Sequence, residues 1–172
     1  MDRDKIEVDE NHETSIQGIF AIGDVIKGPQ LAHMAFAQAV VAVEYMNGKK
    51  PSVDLKVIPS CIYTTPEIAC VGLTEDEAKQ KGISIKTGKY PMLANSKTIL
   101  SAEERGFIKV IFDAETDKLL GAQLMCSRAT DMVGEFATAI VNGLTRQQLA
   151  SAIRPHPTYE EAISEAIENA GK

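Results

Sequence analysis

GFIKVIFDAETDKLLGAQLMC (106–126) decides the fold class. Two apolar runs, GFIKVIFD and KLLGAQLMC, flank the polar tetrapeptide AETD. Two apolar runs broken once by a short polar segment read as two antiparallel strands joined by a four-residue loop. Upstream, PSCIYT (59–64) and IACVG (68–72) read as two more strands separated by a Thr-Pro turn, and ISIKTGKYPML (83–93) alternates weakly. Between them TEDEAKQKG (74–82) carries helix punctuation: Thr74 caps, Glu77 completes a capping box three residues later, and Gly82 terminates. Downstream, 130–143, 145–153 and 158–171 are helical in pattern. Strands followed by helices, with an antiparallel pair at the centre, predict an α+β fold: a mostly antiparallel sheet with helices packed on it.

Before this block the composition changes. KIEVD (5–9) alternates like a short strand, and IFAI inside GIFAIGD (18–24) reads as a buried strand running into a Gly-Asp turn. KGPQ breaks the chain. Pro29 is placed to open a helix and Gly48 to end it. QLAHMAFAQAVVAVEYMN between them is Ala-rich and almost free of charge, so this helix is expected to be buried on more than one side. GKKPSVDL (48–55) reads as a linker, which divides the chain into residues 1–50, a strand and a long helix, and residues 51–172. Neither part contains an internal repeat or a low-complexity tract.

Composition excludes several classes. A hydrophobic fraction of 44% supports a real core. The formal net charge is −6 with no Lys/Arg block, which argues against a nucleic-acid partner. No apolar run approaches the roughly 18 residues of a membrane helix, and the acidic N-terminus is no signal peptide, so no membrane association is expected. Cys61, Cys70 and Cys126 show neither a CxxC nor a zinc-like spacing, so no metal site is expected. They read as buried, reduced thiols, and a reducing, cytoplasmic location is expected.

RPHPTYEE (154–161) supports two compatible readings. Structurally, Thr158 and Glu161 form a capping box for the last helix, and the prolines fix its entry. Chemically, His156 is the side chain best suited to shuttle protons near neutral pH, and it works better when a carboxylate holds one ring nitrogen. With His156 in the loop and Glu161 in the first helical turn the two can meet, while Glu160 points to solvent. The chain supplies no nucleophile, no metal set and no phosphate loop of GxGxxG or GxxxxGK[ST] form. A base with nothing to deprotonate suggests that the rest of its site lies on another chain or has been cut away.

At the other end, the Gly-Asp turn has two readings as well. Asp24 is either a turn residue or a carboxylate presented to ribose or ribitol hydroxyls. The first turn of the following helix, QLAH (30–33), offers backbone N–H groups and the positive end of a helix dipole, which attract an anionic group or one that becomes anionic on reduction.

Together, TSIQGIFAIGDV…GPQLAH, PSCIYTTPEIACVGLTEDEAK and RPHPTYEEAISEA resemble three ordered motifs of the disulfide flavoprotein reductases: the second flavin-binding signature and the opening and closing motifs of the interface domain. Within that family, LAH after the Gly-Asp turn is similar to the dihydrolipoamide dehydrogenase branch rather than to the glutathione or mercuric reductases. The resemblance covers essentially the whole chain. It implies that residues 1–50 are the C-terminal part of an FAD-binding domain and that 51–172 are an interface, or dimerisation, domain.

It also implies roles. Asp24 would bind the ribitol–pyrophosphate part of FAD, and Gln30, Leu31, Ala32 and His33 would contact FAD near the isoalloxazine, largely through backbone. His156 would be the acid/base for dihydrolipoamide thiols, Glu161 would hold it, and Pro157 would follow a cis bond. The base would serve the partner's site in a homodimer that works with the lipoyl domains of a 2-oxo acid dehydrogenase complex and reduces NAD. The family's redox cysteine pair and glycine loops lie upstream of anything here, and Thr65 stands where the family commonly has His. The chain is therefore expected to be an inactive portion of such an enzyme. The alternatives are a portion of a glutathione- or mercuric-reductase-like enzyme, or a stand-alone dimerisation module.

Overall fold

A computed structural model describes residues 4–103 and 106–172. The chain forms two compact units, Met1–Lys56 and Val57–Lys172; the linker reading had placed the division at residue 50.

In the first unit KIEVD and IFAI form only isolated bridges, Ile6 with Ile26, Val8 with Thr14 and Glu13 with Phe20. The expected buried strand at 19–22 is therefore corrected. Ala21 is buried but Ile19 is exposed. An apolar run becomes a strand only where a neighbour offers a ladder, and here the pairings last one residue each.

The chain then enters a short 3₁₀ turn, Gly23–Val25. Gly28, at φ 133, redirects it, and helix α1 spans Ala32–Met46 with Leu31 as N-cap. Pro29 does not open the helix: residues 29–31 precede it, and Leu31 is extended. The predicted end is correct. Gly48 sits at φ 67, its N–H reaches Tyr45 O, and the Lys49 N–H reaches Glu44 O, a Schellman pair of bonds. The expectation of burial on several sides does not hold. Met34, Gln38, Val41 and Ala42 are buried, whereas Phe36 is 75% exposed and Val40, Val43 and Met46 also face outward.

The second unit is built on five strands: β1 (Ser60–Ile62), β2 (Glu67–Gly72), β3 (Ile85–Pro91), β4 (Phe107–Asp113) and β5 (Leu119–Cys126). Their order is β1-β2-β5-β4-β3, and every pairing is antiparallel. The predicted hairpin is β4–β5. Asp113 Oδ1 accepts the Glu115 and Thr116 N–H groups at 2.9 and 2.7 Å and organises the turn, while Asp117 takes φ 58. The Thr116 amide, more than any other group, holds the Asp113 carboxyl below the usual range.

Helix α2 (Glu75–Gln80) has the predicted capping box: the Glu77 N–H donates to Thr74 Oγ1 at 3.2 Å, and the Thr74 N–H donates to Glu77 Oε2 at 2.8 Å. Thr74→Ala should cost about 1 kcal/mol, read as a lower denaturation midpoint at unchanged slope. A short helix that the sequence reading missed, α3 (Ser96–Leu100), follows β3. Helices α4 (Ala129–Val141), α5 (Arg146–Ala150) and α6 (Glu161–Asn169) match the three predicted helical patterns.

The core lies between one sheet face and α4 and α6. Alternation along β4 sends Ile108, Val110 and Phe112 toward Phe136 of α4 and Ile163 and Ile167 of α6. All six are fully buried, each stabilising the unit by roughly 1.5–3 kcal/mol. The other face carries Phe107, Lys109, Gln123 and Met125, with Lys89 Nζ 4.2 Å from the centre of the Phe107 ring. These four are half-buried, and Ile111 on the same face is fully buried, so this face is partly covered as well.

Candidate active site

Helix α6 places the carboxylate. Ala162, Ile163, Ala166 and Ile167 form its buried stripe. The helix lies so close to β3 that a Cβ on Gly88 would fall 1.9 Å from Ala166 O. Asn169 Nδ2 donates to Lys89 O at 3.1 Å and ties down the far end. Glu161 is thereby fixed at the first residue of a firmly seated helix.

The loop between α5 and α6 places the imidazole. Its entry is anchored by Arg154, whose side chain is only 5% exposed: Nη1 donates to Ser164 Oγ at 2.8 Å and Nη2 pairs with Glu135 of α4. The His156–Pro157 bond is cis, as the resemblance implied. The ring of His156 is 69% exposed, and its Nδ1 lies 2.8 Å from Glu161 Oε1. The second carboxylate oxygen accepts the Thr158 N–H at 2.9 Å.

These contacts set the chemistry. The Thr158 amide chiefly, and then the His156 ring, hold the Glu161 carboxyl below the usual glutamate range, so it is ionised at neutral pH. A carboxylate only accepts, so a neutral ring donates through Nδ1 and leaves the lone pair on Nε2. An exposed ring with a free lone pair, backed by a carboxylate that stabilises its protonated form, is an arrangement able to accept a proton.

One detail of the sequence reading is corrected. Thr158 is not the N-cap: helix α6 begins at Glu161 and has Glu160 before it. The Thr158 hydroxyl donates instead to Pro155 O at 2.7 Å. Only the glutamate half of the capping box forms: Glu161 accepts the Thr158 N–H, and no side chain caps the start of α6. Glu160 is exposed, as expected.

The candidate flavin residues lie in the first unit. The Gly23 N–H donates to Oε1 of buried Gln38 at 2.7 Å, and at φ 71 a Cβ there would meet Ala35 Cβ at 3.2 Å. Gln38 and Gly23 thus seat the Gly-Asp turn on α1, with Asp24 exposed beside it. No side chain caps the start of α1. Of QLAH, only Ala32 and His33 are in the first helical turn; Gln30 and Leu31 lie just before it. An exposed carboxylate accepts from sugar hydroxyls, and an uncapped helix start offers N–H donors, so the donor set fits the ribitol and ring edge of a flavin.

The cysteines do not form a redox pair among the described residues; all three are free. Cys126 is buried, and desolvation pushes its thiol up to about 12, which suppresses the thiolate. Cys61 is also raised by burial, but it and Cys70 are only half-buried, which corrects the expectation of three buried thiols. No group of three or more His, Cys, Asp or Glu among the described residues could hold a metal ion, and no described helix is long and apolar enough to cross a membrane.

The larger unit carries a loop-borne histidine backed by a glutamate, and the smaller carries a Gly-Asp turn at the foot of a helix. Residues 58–167 match the pyridine nucleotide-disulphide oxidoreductase dimerisation domain and residues 1–39 match the pyridine nucleotide-disulphide oxidoreductase family, and the chain belongs to these oxidoreductases. It is 44% identical over 162 residues to dihydrolipoyl dehydrogenase of Bacillus subtilis, covering 94% of this chain and 34% of the relative. Leghemoglobin reductase of Glycine max is 41% identical over 94% of this chain and 31% of its own length. The HOCl-induced flavoprotein disulfide reductase RclA of Escherichia coli superposes with a TM-score of 0.90 at 28% identity, over 98% of this chain and 39% of that one. The chain spans about a third of the length of the curated relatives it matches.

Proposed function

We propose that the chain supplies the dimer interface and the acid/base dyad of a dihydrolipoyl dehydrogenase, an enzyme that oxidises protein-bound dihydrolipoamide and reduces NAD. The observation that carries this reading is the 2.8 Å contact between His156 Nδ1 and an ionised Glu161, with Nε2 facing outward. Nε2 accepts the proton released when a dihydrolipoamide thiol becomes a nucleophile, and Glu161 stabilises the resulting imidazolium. Asp24 would hold the ribitol hydroxyls of FAD, and the start of α1, with Gln30, Leu31, Ala32 and His33, would face its ring. When bound, the flavin supplies the two-electron transfer between the disulfide and NAD.

The partner is a second copy of the chain. Tyr63 is 80% exposed and Leu100 71%, and Ile62, Leu93, Ile99 and Val141 are exposed as well. That much apolar surface favours association, and a two-fold interface would bring His156 of one subunit to the flavin and sulfur of the other. The cytoplasm and a 2-oxo acid dehydrogenase complex are the setting that this reading implies.

Two measurements test it. The isolated chain should sediment as a dimer and be colourless, because Asp24 and one helix start are too few contacts to retain a flavin. A monomer, or a flavin absorption band that survives gel filtration, would contradict this. The complete enzyme should turn over dihydrolipoamide with NAD and not glutathione disulfide; the reverse preference would place it with the glutathione reductases.

A further inference from the structure

We infer that Asn95, a residue remote in sequence from the dyad, is a positioning residue for His156; the inference rests on the proposed role of the dyad. An imidazole that is mostly exposed has little packing to hold it, so its position must come from its backbone. Three groups flanking His156 are tied locally: Pro155 O to the Thr158 hydroxyl, the Thr158 N–H to Glu161, and the ring to Glu161. All three bonds lie within residues 155–161, so they hold the loop only to itself and to the first residue of α6. Thr158 O is different. It accepts from Asn95 Nδ2 at 2.9 Å, across 63 positions of sequence.

Asn95 is built for this contact. It is 3% exposed. Its Oδ1 accepts the Thr98 N–H at 3.0 Å and the Thr98 hydroxyl at 3.1 Å, capping α3. With two donors aimed at Oδ1, the amide can turn only one way, and Nδ2 must face Thr158 O. Asn95 itself is fixed from behind, since its N–H donates to Met92 O at 3.0 Å and Met92 is fully buried. The dyad loop is thus pinned from two sides, by Arg154 to α4 and α6 at its entry and by Asn95 to the β3–α3 connection at its exit. A buried amide that meets a single loop carbonyl gives a defined position, because the alternative leaves both groups unpaired away from water.

The test separates capping from positioning. Asn95→Asp keeps an N-cap oxygen for α3 but puts an acceptor where Thr158 O needs a donor. Asn95→Ser keeps a shorter cap that cannot reach the loop, and serves if the first variant does not fold. Thr98→Val weakens the same cap and leaves the loop bond in place. In each variant of the 172-residue chain, nitrogen NMR of the His156 ring in alkaline buffer reports the tautomer. The parent chain and Thr98→Val should show protonated Nδ1, whereas the Asn95 variants should show a mixture of tautomers. In the complete enzyme, Asn95→Asp should lower kcat about tenfold or more at little-changed KM for NAD. Ring signals that are unchanged in both Asn95 variants would overturn the inference. Unchanged turnover in His156→Gln would instead overturn the acid/base role and leave the anchoring intact.

Discussion

His156→Gln in the complete enzyme should lower turnover on dihydrolipoamide about 100-fold or more, with little change in stability. Glutamine can still donate a hydrogen bond toward Glu161 Oε1, so the loop retains its local bonds. What disappears is the ring nitrogen that can accept a proton, which an amide cannot replace. Glu161 cannot take over: its carboxyl is held below the usual range chiefly by the Thr158 amide, a bond the substitution leaves in place, which makes it a poor base at neutral pH. The measurement is steady-state kinetics with dihydrolipoamide and NAD. A variant that turns over like the parent would reduce His156 to a loop residue and leave Glu161 only its bond to the Thr158 amide.

The same glutamate gives the acid limit of the site. Its folded pKa is depressed, so its contribution to stability is fully present above the ordinary glutamate value of about 4.3 and is lost as pH falls through the lower folded value. The ring–carboxylate contact should therefore persist through the neutral range and come apart only in acid. Glu161→Gln should remove that part of the acid dependence, as followed by the denaturation midpoint across pH.

Gly88→Ala should destabilise the larger unit by about 3 kcal/mol, the upper end of the usual cost of overpacking. The added methyl would lie 1.9 Å from Ala166 O and 2.6 Å from Ala170 N, both backbone atoms of or next to α6. A flexible side-chain tip could move aside, but helix backbone cannot without lifting α6 from β3. Because Glu161 opens that helix, the same variant should disturb the dyad as well as the melting temperature. Thermal unfolding together with the His156 ring signals would show both; an unchanged midpoint would mean that α6 can shift at no cost.

Much of this was legible in the sequence. The β4–β5 hairpin was readable because two apolar runs flank one polar tetrapeptide, and the α2 cap because Thr74 and Glu77 stand three apart. The pairing of His156 with Glu161 was readable for a similar reason: five residues spanning a proline turn and one helix start leave little room to separate. What was missed depended on distant partners. IFAI has strand composition, but it pairs only through isolated bridges. Thr158 has the composition of a cap, but its hydroxyl closes the proline turn. Helix α3 is five residues long, too short for periodicity to register, and its one signal was an asparagine three positions ahead of a threonine.

Local composition and spacing determined the hairpin behind the α+β class, the turns and helix ends at Gly48, Thr74 and Asp113, and the pairing of His156 with Glu161, because each depends on residues close in sequence. Tertiary structure alone decided the strand order, the burial of one sheet face under α4 and α6, the close approach of α6 to Gly88, and the reach of Asn95 to the histidine loop. Those contacts join residues tens of positions apart, and their energy comes from excluding water between surfaces that no local pattern brings together.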